Sequence, residues 1–104
     1  MSRQFDVFRN PLKAGREERP YLLDVQHAFW SDRPSRIVIP LVVTSAIRPE
    51  PRLNPIVTVL EDKLYLSPTE MFTISTKHLR NRIASLEAER YRIISALDLV
   101  FTGI

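Results

Sequence analysis

Short alternations of apolar and polar residues fill the first three quarters of the chain, and one longer run with helical spacing closes it. Gln4–Phe8 reads as a first strand, with Phe5 and Val7 on one face and Gln4, Asp6 and Phe8 on the other. Asn10-Pro11 ends it, and residues 10–20 form a highly charged loop bracketed by Pro11 and Pro20. Tyr21–Gln26 is a second strand, with Tyr21, Leu23 and Val25 on one side. Ser31–Ser35 is a turn. Arg36–Val43 is almost continuously apolar and β-branched, which predicts a central strand buried on both faces. Pro40 inside it cannot donate to a ladder and requires a bulge, a strand end or an unpaired position. Pro49, Pro51 and Pro55 make the next stretch irregular. Ile56–Leu60 and Leu64–Leu66 form a hairpin around Glu61-Asp62-Lys63. Ser67-Pro68-Thr69-Glu70 has capping-box spacing, but β-rich Met71–Ser75 follows, so the expectation is one tight turn and then another strand.

From Leu79 onward the apolar positions Leu79, Ile83, Leu86, Tyr91, Ile93, Ile94, Leu97, Val100, Phe101 and Ile104 recur mostly in steps of three and four. Ser85 suits an N-cap, and Glu87 and Glu89 favour the first turn, which places the start of a helix near Leu86. The chain closes on Phe101-Thr102-Gly103-Ile104, an apolar ending that calls for a core or a partner. Strands in hairpin-like succession followed by one helix, without βαβ crossovers, predict a single α+β domain over residues 1–104, mainly β. Its expected architecture is an antiparallel sheet or partly open barrel with one C-terminal α-helix.

Composition narrows the function more than the fold. The net charge is +3 at a pI of about 9.7, but the basic residues are dispersed and mixed with acids. That pattern describes a solvated surface and suits an acidic protein partner better than a nucleic acid. Without Cys there is no disulfide, thiolate nucleophile or Cys-bound metal, and a cytoplasmic setting fits. No apolar run approaches the ~20 residues of a membrane span, and the polar Met1–Asp6 predicts no secretory signal. His27 and His78 lie outside any metal spacing, and Gly15 and Gly103 cannot make a phosphate loop, so no cofactor, metal or catalytic residue is expected. A protein-interaction module is the better reading than an enzyme. The adjacent Phe29 and Trp30 leave two readings: one ring in the core and one over a loop, or both in an interface.

Several segments together resemble the CcdB family of toxins. They are Asp24-Val25-Gln26 after the first hairpin, Arg36-Ile37-Val38-Ile39-Pro40-Leu41, Pro55-Ile56-Val57-Thr58-Val59, Thr69-Glu70-Met71, and a terminal helix ending in Gly103-Ile104. The resemblance runs from about Gln4 to Ile104. It implies the fold shared with the MazF and Kid toxins, a homodimer, and a toxin that binds the A subunit of DNA gyrase and traps the enzyme on cleaved DNA. It further implies a cognate acidic antitoxin that neutralises the toxin, and operator DNA bound only by the toxin–antitoxin complex, which represses the operon. The implied gyrase-binding residues are Asp98, Phe101, Thr102, Gly103 and Ile104, with Phe29 and Trp30 on a dimer or gyrase surface. Thr102 departs from the family, whose best-known member carries Trp there, so an aromatic stack is not carried over. A ribonuclease on the same fold and a non-toxic interaction module remain the alternatives.

Overall fold

The computed structural model describes residues 2–30 and 32–103; Met1, Ser31 and Ile104 lie outside the described residues. Seven strands and one α-helix follow one another as β1 (Asp6–Arg9), β2 (Tyr21–Asp24), β3 (Ser35–Val43), β4 (Ile56–Val59), β5 (Asp62–Leu66), β6 (Phe72–Ser75), β7 (Ala84–Ser85) and α1 (Arg90–Thr102). All pairings are antiparallel. They form one sheet in the order β4-β5-β3-β2-β1-β7, with β6 also on β3, which curls into a nearly closed barrel with the helix against it. The fold class predicted from the alternation is the one observed.

β3 is the spine. Residues 38–42 are buried, and the strand pairs with β2 along one edge. Along its other edge it pairs first with β6 and then with β5. Pro40 falls at that change of partner. Its carbonyl accepts from the Ser67 N–H at 3.2 Å, so its nitrogen faces the same gap between β6 and β5, where no strand donor is required. The side chains of β3 alternate between two cores. Ile39 and Leu41 join Phe5, Val7, Leu23, Leu64, Leu66, Ile93 and Ala96, whereas Val38 joins Phe8, Leu22, Ile74 and Leu79.

Two boundaries differ from the sequence reading for definable reasons. The hairpin turn is Leu60-Glu61, one residue earlier than expected, and both residues have positive φ (48° and 75°). That is the geometry of a two-residue type I′ turn, built here without the Asn-Gly pair that announces it. The helix begins at Arg90 rather than near Leu86, after a 3-10 turn at Glu87–Glu89. Upstream, the backbone is claimed by β1: Ile83 N–H donates to Val7 O at 2.9 Å and Leu86 N–H to Phe5 O at 2.8 Å. Asn81, at φ 61°, bends the chain into that pairing. The helical spacing of Leu79, Ile83 and Leu86 is therefore coincidental, and Ala84–Ser85 form the unpredicted β7. The N-cap position of the 3-10 turn falls to Leu86 rather than Ser85, whose hydroxyl accepts from Glu87 N–H at 3.2 Å.

Candidate functional site

A buried polar network, unusual among so many apolar side chains, fixes the region around Phe29 and Trp30. Asp24, in register with Val38, and Arg36, two residues before Val38 on β3, are buried at 0% and 1% exposure. Arg36 Nε and Nη2 donate to the two Asp24 carboxylate oxygens at 2.7 and 3.2 Å, a bidentate pair. Asp24 also accepts from the Ser2 hydroxyl and from Gln26 N–H, and Arg36 Nη2 donates to Gln26 O at 3.1 Å. Although the basic residues are dispersed along the sequence as on a solvated surface, Arg36 is a core residue. The clue lay in its place, a lone cation heading an apolar strand opposite a strand that ends in Asp.

Gln26 passes this order outward. Its side-chain oxygen accepts from Ile37 N–H at 3.0 Å and its amide donates to Trp30 O at 2.7 Å. The 3-10 turn Ala28–Trp30 is thereby fastened to β3. Phe29 and Trp30 meet edge to face at 4.9 Å, and Arg33 lies over the Trp30 ring at 5.4 Å. Neither ring is buried: Phe29 is 75% and Trp30 47% exposed. Of the two readings, the one that places a ring in the core is not met, since both rings lie outside it. Trp30 instead walls a shallow cavity of about 330 Å³ with Ile37 and Thr73.

The second group of residues occupies the last turn of α1. The buried side of the helix is made by Ile93 and Ala96, flanked by Ile94 and Leu97. Asp98, Phe101, Thr102 and Gly103 are exposed, Phe101 at 71%. Gly103 adopts the left-handed conformation (φ 75°), and its N–H closes the helix on Leu99 O at 3.0 Å. That αL cap is where glycine is favoured over residues with a Cβ, and it fixes the direction in which the chain leaves the helix. The Thr102 hydroxyl turns back to donate to Asp98 O at 2.7 Å. Ile104, the last residue of the expected contact, lies outside the described residues. The cavity beside Trp30 contains no residue of α1, so the two groups form separate patches within one chain.

Among the described residues no cluster of three His, Asp or Glu side chains could hold a metal, and no helix is long and apolar enough to cross a membrane. The charged-loop residue Arg19 reaches Glu70 through Nε and Nη2 at 2.7 and 3.2 Å, and Ser67 donates to the same carboxylate at 2.6 Å. The hydrogen bond from Arg19 holds the Glu70 carboxyl below its usual range and outweighs the opposing effect of partial burial. A depressed carboxyl contributes stability above its unfolded value, about 4.3, and loses it as pH falls through the lower folded value. Acid unfolding monitored by far-UV circular dichroism should show the parent losing more stability below about pH 4.3 than Glu70→Gln does.

The profile of the CcdB family, described as CcdB protein, matches residues 4–103. The chain belongs to the CcdB family. It is thus a toxin of the toxin–antitoxin class. A comparison with curated proteins returns no significant match. The CcdB match spans both the Asp24–Arg36 network with its aromatic turn and the glycine-capped end of α1.

Proposed function

We propose that this CcdB-family protein poisons DNA gyrase: a homodimer binds the gyrase A subunit and holds the enzyme on cleaved DNA. The contact is made by Asp98, Phe101, Thr102, Gly103 and Ile104, with Phe29 and Trp30 on the dimer or gyrase surface. A cognate acidic antitoxin masks the toxin, and the pair together represses its operon. The observation that carries the reading is the exposed end of α1. Phe101 stands 71% exposed on a turn whose exit is set by Gly103. An exposed Phe beside a preset chain end is a ready anchor, since a few aromatic residues can dominate an interface. No catalytic group is required, because the damage to DNA is done by the trapped enzyme.

Titration calorimetry of the purified protein into the gyrase A subunit tests this. Binding is expected for the parent. Phe101→Ala should weaken it by roughly 10- to 30-fold, the equivalent of losing about 1.5–2 kcal/mol of apolar contact. No heat and no co-elution with the parent protein would reject gyrase as the target.

A further inference from the structure

Residues 76–82 form a strap across one face of the sheet. The strap leaves β6 beside β3, passes over β2 and β1, and ends at β7. Three points hold it. The Thr76 hydroxyl and N–H donate to Pro34 O at 3.1 and 3.0 Å. Leu79 is buried in the smaller core with Phe8, Leu22, Val38 and Ile74. Just past the strap, Ile83 N–H donates to Val7 O at 2.9 Å. The helix α1 packs on the other core through Ile93 and Ala96, so strap and helix lie on opposite faces of the sheet.

Between Thr76 and Arg82 there is no acid. Lys77, His78, Arg80 and Arg82 are exposed, and Leu79 alone among its neighbours turns inward. Arg80 Nε donates to Lys77 O at 3.1 Å, which ties these two positions together. Arg82 reaches a carboxylate only at 3.5 Å, that of the buried Asp6, and its side chain stays 58% exposed. Asp6 also accepts from Arg3 N–H at 2.9 Å, which brings exposed Arg3 to the same end of the strap. Among the described residues Arg3, Lys77 and Arg80 have no ion-pair partner. Folding thus gathers, on a firmly anchored segment, cations that are not offset by acids.

The surroundings of these cations select among anionic partners. None of the large apolar side chains exposed among the described residues belongs to the strap or to Arg3. A protein interface needs an apolar core depleted of charge. Single-stranded nucleic acid needs aromatic rings on which its bases stack, and the strap has no Phe, Tyr or Trp. A duplex backbone needs neither, only placed positive charge. We propose that the 76–82 strap, together with Arg3, binds the phosphate backbone of duplex DNA, without sequence preference and without a second protein. This goes beyond the operon repression proposed above, where toxin and antitoxin act together, and it does not depend on gyrase being the target.

Fluorescence anisotropy tests it, with a labelled DNA duplex of about 20 base pairs titrated with the full chain alone, a length that holds many phosphates. If Arg3, Lys77, Arg80 and Arg82 each neutralise a phosphate, log K should fall against log salt with a slope of about −3.6. Lys77→Gln and Arg80→Gln should each make that slope shallower by about 1. Lys77→Glu combined with Arg80→Glu should weaken binding by roughly tenfold or more. Lys13→Glu combined with Arg48→Glu makes the same change in net charge elsewhere and should weaken it by less than about threefold. All four positions are exposed, so both double variants should melt with the parent. The strap variant should also bind the gyrase A subunit as the parent does, so that failure of one reading leaves the other standing. No duplex binding by the parent, or equal losses in the two double variants, would overturn the proposal. So would tighter binding of a labelled oligothymidylate or of an oligoglutamate peptide, lost with Lys77 and Arg80, in favour of single strands or an acidic protein.

Discussion

Deleting residues 102–104 should abolish growth inhibition on expression while leaving the fold almost untouched. Thr102 and Gly103 are exposed; the Thr102 hydroxyl donates to Asp98 O and the Gly103 N–H to Leu99 O, within the last turn. The helix is held instead by Ile93 and Ala96, a turn and more upstream. Losing a helix cap bond to solvent costs about 1 kcal/mol, which in a domain of this size lowers the melting temperature by about 4–8 °C. A tail that served as core would cost several times more. Growth curves and melting of the truncated protein read the two effects separately. A truncated chain that melts with the parent but still arrests growth would remove the tail from the mechanism. A truncated chain that fails to fold would make the tail structural. Thr102→Trp sharpens the same point, because it supplies the large aromatic surface that Thr lacks; it should strengthen growth inhibition.

Arg36→Ala should produce the largest loss of stability of any single substitution considered, although Arg36 touches no partner. Its removal leaves the fully buried Asp24 carboxylate without its bidentate cation. Breaking a buried pair from one side costs about 3–5 kcal/mol, a fall of roughly 15–30 °C in melting temperature. Gln26 would also lose the hydrogen bond to its carbonyl, and with it part of the support beneath Phe29 and Trp30. The double variant Asp24→Leu with Arg36→Met removes both charges and should be less destabilised than either single change. Thermal unfolding of the three variants checks the order. A single variant as stable as the parent would show that the pair does not anchor this region.

Much of the fold was legible because the strands carry their environment in their pattern. The unbroken Ile37–Val43 run marked β3 as central, and its Pro40 was correctly required to sit where no donor is needed. The chain was harder to read where long-range pairing overrides local spacing. Ile83 and Leu86 have helical intervals, yet their N–H groups belong to β1, and nothing local to residues 79–86 announces that claim. The Leu60-Glu61 turn was displaced because neither residue is the type that ordinarily takes positive φ. At the candidate site, the terminal turn stood out as an apolar ending, and the aromatic pair as two large rings side by side, one of which could still have joined the core. The network beneath them did not, because Asp24, Gln26 and Arg36 look like ordinary surface residues until β2 and β3 pair. Tyr91, counted among the apolar positions of the helix, instead stands 81% exposed.

The central claim is that the glycine-capped end of α1 engages gyrase and traps it. The most direct measurement is accumulation of linear DNA when purified gyrase acts on supercoiled plasmid with ATP and the reaction is stopped with detergent and protease. The parent protein should raise the linear, protein-linked product well above the level with gyrase alone, and the chain lacking residues 102–104 should not. No increase with the parent, or an equal increase with the shortened chain, would contradict the account.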